Sequence, residues 1–140
     1  MKRRCILSLD VGTKTIGVAK SDPLGAFTLP VVTIRRKGVR KDVVIIMELV
    51  AKYEIDEVVV GLPLELDGSE ERSARLARQI GEAVAEANGK PVFYVDERFS
   101  SVEAERRLLE MDVSRARRKE LIDQAAAMII LERFIAENQL

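Results

Sequence analysis

The chain has 140 residues, 47% of them apolar, enough for the core of one ordinary domain and too few for two, so residues 1–140 read as a single unit. Its 23 basic and 23 acidic residues cancel, there is no histidine and only one cysteine, which excludes a Ser-His-Asp triad, a His- or Cys-ligated zinc site and an internal disulfide. The longest apolar stretches, such as Ala125 to Leu131, fall far short of the roughly 20 residues a membrane helix needs. The basic start Met1-Lys2-Arg3-Arg4 leads into a strand pattern carrying Asp10 rather than into a signal-peptide apolar region, so a cytoplasmic location is expected.

Three apolar runs come first: Cys5 to Leu9, Ile16 to Ala19 and Phe27 to Ile34, parted by Gly12-Thr13-Lys14 and by Ser21-Asp22-Pro23-Leu24-Gly25. They predict a meander of three antiparallel strands joined by tight turns, with Cys5 as a small buried thiol. Val43, Ile46, Met47, Val50 and Tyr53 recur every three or four residues, the signature of an amphipathic helix. The β-branched run Val58-Val59-Val60 predicts a buried strand over Glu57 to Gly61. Asp67-Gly68-Ser69 opens the next helix, with Leu76, Ala77, Ile80, Ala83, Val84 and Ala87 on its inner face and Asn88-Gly89 at its end.

Pro91 to Val95 is a short strand ending in Asp96-Glu97-Arg98, and Ser100 with Glu103 has the form of a capping box for a helix reaching Met111. The last helix, Arg117 to Asn138, is apolar nearly all round apart from Asp123 and must pack on several sides. The order predicts an α/β fold with a mixed five-stranded sheet, an antiparallel three-strand meander extended by parallel strands, and helices on both faces.

Four acids carry the chemical reading. Asp10 follows four apolar strand residues, where a desolvated carboxylate costs several kcal/mol unless a metal or partner compensates it. Asp96 and Glu97 lie at the same end of the fifth strand, the end where open α/β sheets collect ligands, and Asp123 lies about two turns into the helix that packs on the sheet. Three carboxylates from Asp10, Glu97 and Asp123 would repel one another unless cations neutralise them, and oxygen-only ligands favour Mg²⁺ or Mn²⁺. Paired ions about 4 Å apart can activate water and stabilise the leaving oxygen of a phosphodiester. Three of the four also have a plain explanation, a strand-end turn for Asp96, a partner for Arg98 in the case of Glu97 and a solvent-facing helical position for Asp123, and that of Asp10 is the weakest.

A neutral chain is a weak candidate for nucleic acid, but its charges are segregated. Basic residues bunch at Arg35-Arg36-Lys37 with Arg40-Lys41 and again at Arg115, Arg117, Arg118 and Lys119, which can form a positive face or merely solvated turns. Lys14 in the first turn and Arg98 beside Glu97 can hold a phosphate, or serve as a turn residue and an ion-pair partner.

The segments Asp10-Val-Gly-Thr-Lys-Thr-Ile-Gly-Val-Ala19, Gly61-Leu-Pro-Leu64 with Asp67-Gly-Ser69, Asp96-Glu-Arg-Phe-Ser-Ser101 with Glu103-Ala104, and Asp123-Gln-Ala-Ala-Ala127 stand in an order that resembles the YqgF/RuvX family. The resemblance covers nearly the whole chain. It implies a ribonuclease H-like fold related to Holliday-junction resolvases and a role in maturing the 5′ end of pre-16S ribosomal RNA in ribosome biogenesis, with Asp10, Glu97 and Asp123 as catalytic, metal-binding carboxylates. Phe99-Ser100-Ser101 and Gln124 depart from the family's usual Leu-Ser-Thr and second acid, so Asp123 stands as the one metal ligand expected from its helix.

Other readings are weaker. Actin-like kinases share the Asp-x-Gly-Thr opening but close two domains on their nucleotide. A phosphoacceptor receiver would need a purely parallel repeat, and a non-catalytic nucleic-acid-binding module would lack the carboxylates. Cutting a four-way DNA junction would need a two-fold dimer, whereas trimming RNA needs only a monomer. The apolar residues of Phe27 to Ile34, with Leu108, Leu109 and Met111, suit either an interface or the core.

Overall fold

In the computed structural model, which describes residues 4–22, 27–63, 72–96, 100–111 and 114–138, the apolar runs become strands and the periodic segments helices. Strands β1 (Ile6–Val11), β2 (Thr15–Ser21) and β3 (Thr28–Arg35) form the antiparallel meander. After helix α1 (Val39–Lys52), strand β4 (Glu57–Leu62) pairs parallel to β1, and after α2 (Arg72–Asn88), strand β5 (Phe93–Asp96) pairs parallel to β4. The order across the five-stranded sheet is β3-β2-β1-β4-β5, with the meander on one side of β1 and the parallel strands added on the other.

Alternation divides the sheet into two faces. Leu7, Leu9 and Val11 of β1, with Val58, Val60 and Leu62 of β4, point to one side and pack on Val43, Ile46 and Val50 of α1 and Ala77, Ile80 and Val84 of α2. Ile6, Val59 and Val95 point to the other side and meet Ile130, Leu131 and Phe134 of α4 (Arg115–Asn138). On its outer side α4 receives α3 (Ser100–Glu110) through Ala104, Ala126 and Ile129. This double packing is why the α4 sequence is apolar nearly all round, and each fully buried leucine or isoleucine contributes about 1.5–3 kcal/mol relative to an exposed one.

Several boundaries differ from the sequence expectation by a residue or two, as helix and strand ends commonly do. The helix α4 starts at Arg115 because the Ser114 hydroxyl accepts a hydrogen bond from the Arg117 amide at 3.3 Å, a cap two residues earlier than expected. The expected opening of α2 at Asp67 lies outside the described residues. Glu103 is turned towards Arg107, which bridges it at 3.0 Å and also reaches Glu132 of α4 at 3.0 Å, clamping α3 to α4. Cys5 is half-buried at the margin of the core rather than inside it, and burial pushes its thiol pKa up. Leu108 is buried, whereas Leu109, Met111 and the edge-strand residues Leu29 and Val32 are exposed.

Candidate active site

Asp10 and Asp123, remote in sequence, are brought to one place by the packing of α4 on the sheet. Asp10 is directly opposite Gly17 across the β1–β2 ladder, so their side-chain positions share a face. At Gly17 the backbone of α4 comes so close that an added Cβ would sit 2.0 Å from the Asp123 carbonyl oxygen and 2.9 Å from the Asp123 Cβ. Only a residue without a side chain permits this approach. Two residues back along β1, the buried Ser8 hydroxyl donates to the Ala127 carbonyl at 2.7 Å, one helical turn beyond Asp123. Ser8 therefore meets Ala127 and Asp10 stands beside Asp123, because a two-residue strand step of about 6.6–6.8 Å nearly matches the rise of about 6 Å over four helical residues.

Neighbouring side chains fix the Asp123 end of the site. The Thr15 hydroxyl donates to Asp123 Oδ2 at 2.7 Å, a charge-assisted bond that orients the carboxylate. Gln124 donates from Nε2 to the Thr33 hydroxyl at 3.1 Å, tying the next helical residue to β3. Gln124 thus serves as an anchor between α4 and the sheet.

The turn after Asp10 is braced from behind. The Gly12 amide donates to the Thr15 carbonyl at 2.8 Å, and the Gly12 carbonyl accepts from Arg36 Nη1 at 3.1 Å. Arg36 in turn donates from Nε to Asp42 Oδ2 at 3.0 Å, and the fully buried Asp42 also accepts the Lys37 amide at 2.9 Å. Composition alone counted Arg36 in a basic face; the structure instead buries it in an ion pair whose side chains are 9% and 0% exposed. The signal that could have found it is Asp42 itself, an acid in the first turn of a helix five or six residues after a run of cations.

The remaining predicted residues divide into four groups. Lys14 is exposed in the turn beside Asp10. Arg117 is exposed and Arg118 half-buried in the first turn of α4, about 9 Å of helix rise before Asp123 in the case of Arg117, beyond the carboxyl ends of β1 and β4. Glu97 and Arg98 lie outside the described residues. Asp96 pairs with Leu62 and so shares its face, the one covered by α1 and α2, opposite to Asp10. Its backbone carbonyl accepts from Arg133 Nη1 at 3.0 Å.

Among the described residues no three acidic, histidine or cysteine side chains gather into a metal-ligand group. Asp10, opposite Gly17, and Asp123, packed against Gly17, lie on the same side of the sheet near its carboxyl end and offer only oxygen donors. That donor set fits a hard divalent cation such as Mg²⁺ or Mn²⁺ and does not suit a softer one. Thr15, Gly17 and Ser8 were not singled out from sequence; a hydroxyl or glycine at these places has meaning only once the helix register against β1 and β2 is known.

Comparison with known proteins identifies the family. A family described as "RuvX: Holliday junction resolvase" matches residues 4–137. A protein of Myxococcus xanthus named "Putative pre-16S rRNA nuclease" is 47% identical over 126 residues, covering 90% of this chain and 83% of its own length. A relative of the same name from Moorella thermoacetica is 46% identical over 130 residues, 93% of each chain. Among solved structures, Thermus thermophilus RuvC in complex with a Holliday junction substrate superposes with a TM-score of 0.59 at 18% identity, covering 96% of both chains, which identifies the ribonuclease H-like fold. No helix among the described residues is long and apolar enough to cross a membrane.

Proposed function

Because this chain belongs to the RuvX family, we propose that it is a metal-dependent endonuclease that hydrolyses phosphodiester bonds in structured nucleic acid, and that its substrate is the 5′ region of pre-16S ribosomal RNA. The observation that carries this reading is the meeting of Asp10 and Asp123 across Gly17 at the carboxyl end of β1. The RNA assignment is supported by the names of the relatives that share 46–47% of their aligned residues with this chain. Such a substrate places its action in the cytoplasm, and the reading treats residues 1–140 as one nuclease domain.

In this reading Asp10, Asp123 and Glu97, which follows β5 in sequence, hold Mg²⁺ or Mn²⁺. The bound cation supplies charge neutralisation at the scissile phosphate and an activated water. The chain's own residues do the rest. Thr15 holds the Asp123 carboxylate in one orientation, so that little reorganisation is needed when substrate arrives. Lys14, Arg98, Arg117 and Arg118 hold the phosphates on either side of the cut, arginine forming the bidentate contacts.

A second reading, resolution of four-way DNA junctions, is favoured by the family description and by the RuvC fold. It requires two copies acting together, whereas a monomer suffices for trimming RNA. Cleavage of labelled pre-16S 5′ leader RNA and of a four-way DNA junction, each with Mg²⁺, Mn²⁺ or chelator, separates the two. Metal-dependent cutting of the RNA alone, lost in Asp10→Asn, is expected; paired cuts in the junction would move the function to recombination, and cutting that survives Asp10→Asn would remove the site.

A further inference from the structure

The helix α2 carries a row of cations that the carboxylate site does not use. Arg72, Arg75 and Arg78, with Leu76, Gln79 and Glu82, line a shallow concavity of about 620 Å³ on its outer surface. Arg72 and Arg75 are exposed, and among the described residues neither forms an ion pair. Two exposed arginines that serve no structural pairing differ from Arg36, Arg107 and Arg133, which are all engaged with acids or carbonyls. Arg78 is held in place by Tyr94 of β5, its guanidinium 5.1 Å from the ring centroid, a cation–π distance. Tyr94 in turn lies over Gly81, where an added Cβ would come within 2.3 Å of the phenolic oxygen.

The register gives the row a direction. Tyr94 pairs with Val60, and Val60 with Leu9, so the contact with Gly81 stands one residue short of Asp10 along the strands. From that level α2 climbs towards its N-terminus, reaching Arg72 about 13 Å further at the helical rise of 1.5 Å per residue. The positive end of the row therefore lies at the carboxyl end of the sheet, where Asp10 and Asp123 are, and the acid Glu82 closes its far end. Arg117 and Arg118 rise past the same end on the opposite face.

We propose that Arg72, Arg75 and Arg78 form a second phosphate-binding ridge, which grips the nucleic-acid backbone on the α1–α2 side of the sheet while the start of α4 grips it on the other. The proposal rests on the nuclease reading for the identity of its ligand. It means that the substrate straddles the end of the sheet, so that a single strand long enough only to fill the carboxylate site would leave half the positive charge unused. Guanidinium groups with their bidentate geometry suit phosphate oxygens, and arginines on one exposed helix face carry no base-reading partner, so the contact is to backbone and independent of sequence.

The test is binding of a short fluorescein-labelled RNA duplex, measured by anisotropy in chelator so that no cutting is needed, over a series of salt concentrations. For Arg72→Ala/Arg75→Ala the slope of log affinity against log salt should fall in magnitude by about 1.8, as expected for two lost phosphate contacts. Arg72→Lys/Arg75→Lys, which keeps both charges, should retain the slope. An unchanged slope in the alanine variant, with its circular dichroism intact, overturns the ridge. If wild-type protein cuts neither RNA nor junction while the alanine variant loses slope, the nuclease reading fails and the ridge stands; an unchanged slope beside normal wild-type cutting removes the ridge alone.

Discussion

Replacing Gly17 by alanine tests the geometry that joins Asp10 to Asp123. The new Cβ would sit 2.0 Å from the Asp123 carbonyl oxygen and 2.3 Å from its carbonyl carbon, and both are backbone atoms of a helix packed on two sides. Ordinary contact begins at 3.4 Å, so α4 must move by more than an ångström or β2 must buckle. Overpacking of this kind costs about 1–3 kcal/mol. With a urea dependence of about 1–3 kcal/mol per molar, the unfolding midpoint should drop by roughly 1 M. The effect on catalysis should be larger than the effect on stability, because a displacement of about 1 Å in a reacting group costs on the order of 10²-fold in rate. Ser8→Ala is the matched control. It lies on the same face and loses one buried hydrogen bond to Ala127, worth about 1 kcal/mol, without pushing the helix. Urea denaturation and single-turnover cleavage of both variants decide the matter. A Gly17→Ala protein with wild-type turnover and midpoint would refute the close approach of α4 at Asp123.

Three other perturbations follow from the contacts around the site. Asp42→Ala leaves Arg36 buried without its carboxylate and should destabilise the fold by about 3–5 kcal/mol, read as a shift in urea midpoint. Thr15→Val removes the hydroxyl that orients Asp123; turnover should fall about 10-fold, equivalent to about 1.4 kcal/mol, with little change in KM, and an equal loss in KM would indicate a binding role instead. Arg117→Ala/Arg118→Ala should flatten the salt dependence of binding by up to about 1.8 in slope, and an unchanged slope would make these residues simple helix-start cations.

Much of the architecture was legible because burial writes itself as period. The unbroken Val58-Val59-Val60 run marks a strand covered on both faces, and the spacing of Val43, Ile46 and Val50 marks a helix lying on a sheet. Asp10 and Asp123 were legible as charges interrupting apolar surroundings, which needs a compensating reason wherever it occurs. Their direct neighbours were not. Thr15, just before the second apolar run, and Gly17 within it carry no signal until the register of α4 against β2 gives one a carboxylate to orient and the other a helix backbone to admit. The burial of Arg36 was not legible either. Arg36 belongs to a dense basic run, and sequence proximity suggested shared solvent exposure, whereas the chain turns after β3 and carries Arg36 inward to Asp42. The side on which Asp96 lies was open in the sequence as well, and strand register sends it to the face opposite Asp10.

Binding of Mn²⁺ by isothermal titration, to wild type, Asp10→Asn and Asp123→Asn, tests the convergence of these two carboxylates without reference to any substrate. If they share one cation site, each single substitution weakens binding of the same ion by at least about 10-fold while the circular dichroism spectrum stays unchanged. Wild-type Mn²⁺ affinity in Asp123→Asn would show that the helix α4 contributes no ligand and would contradict the site described above.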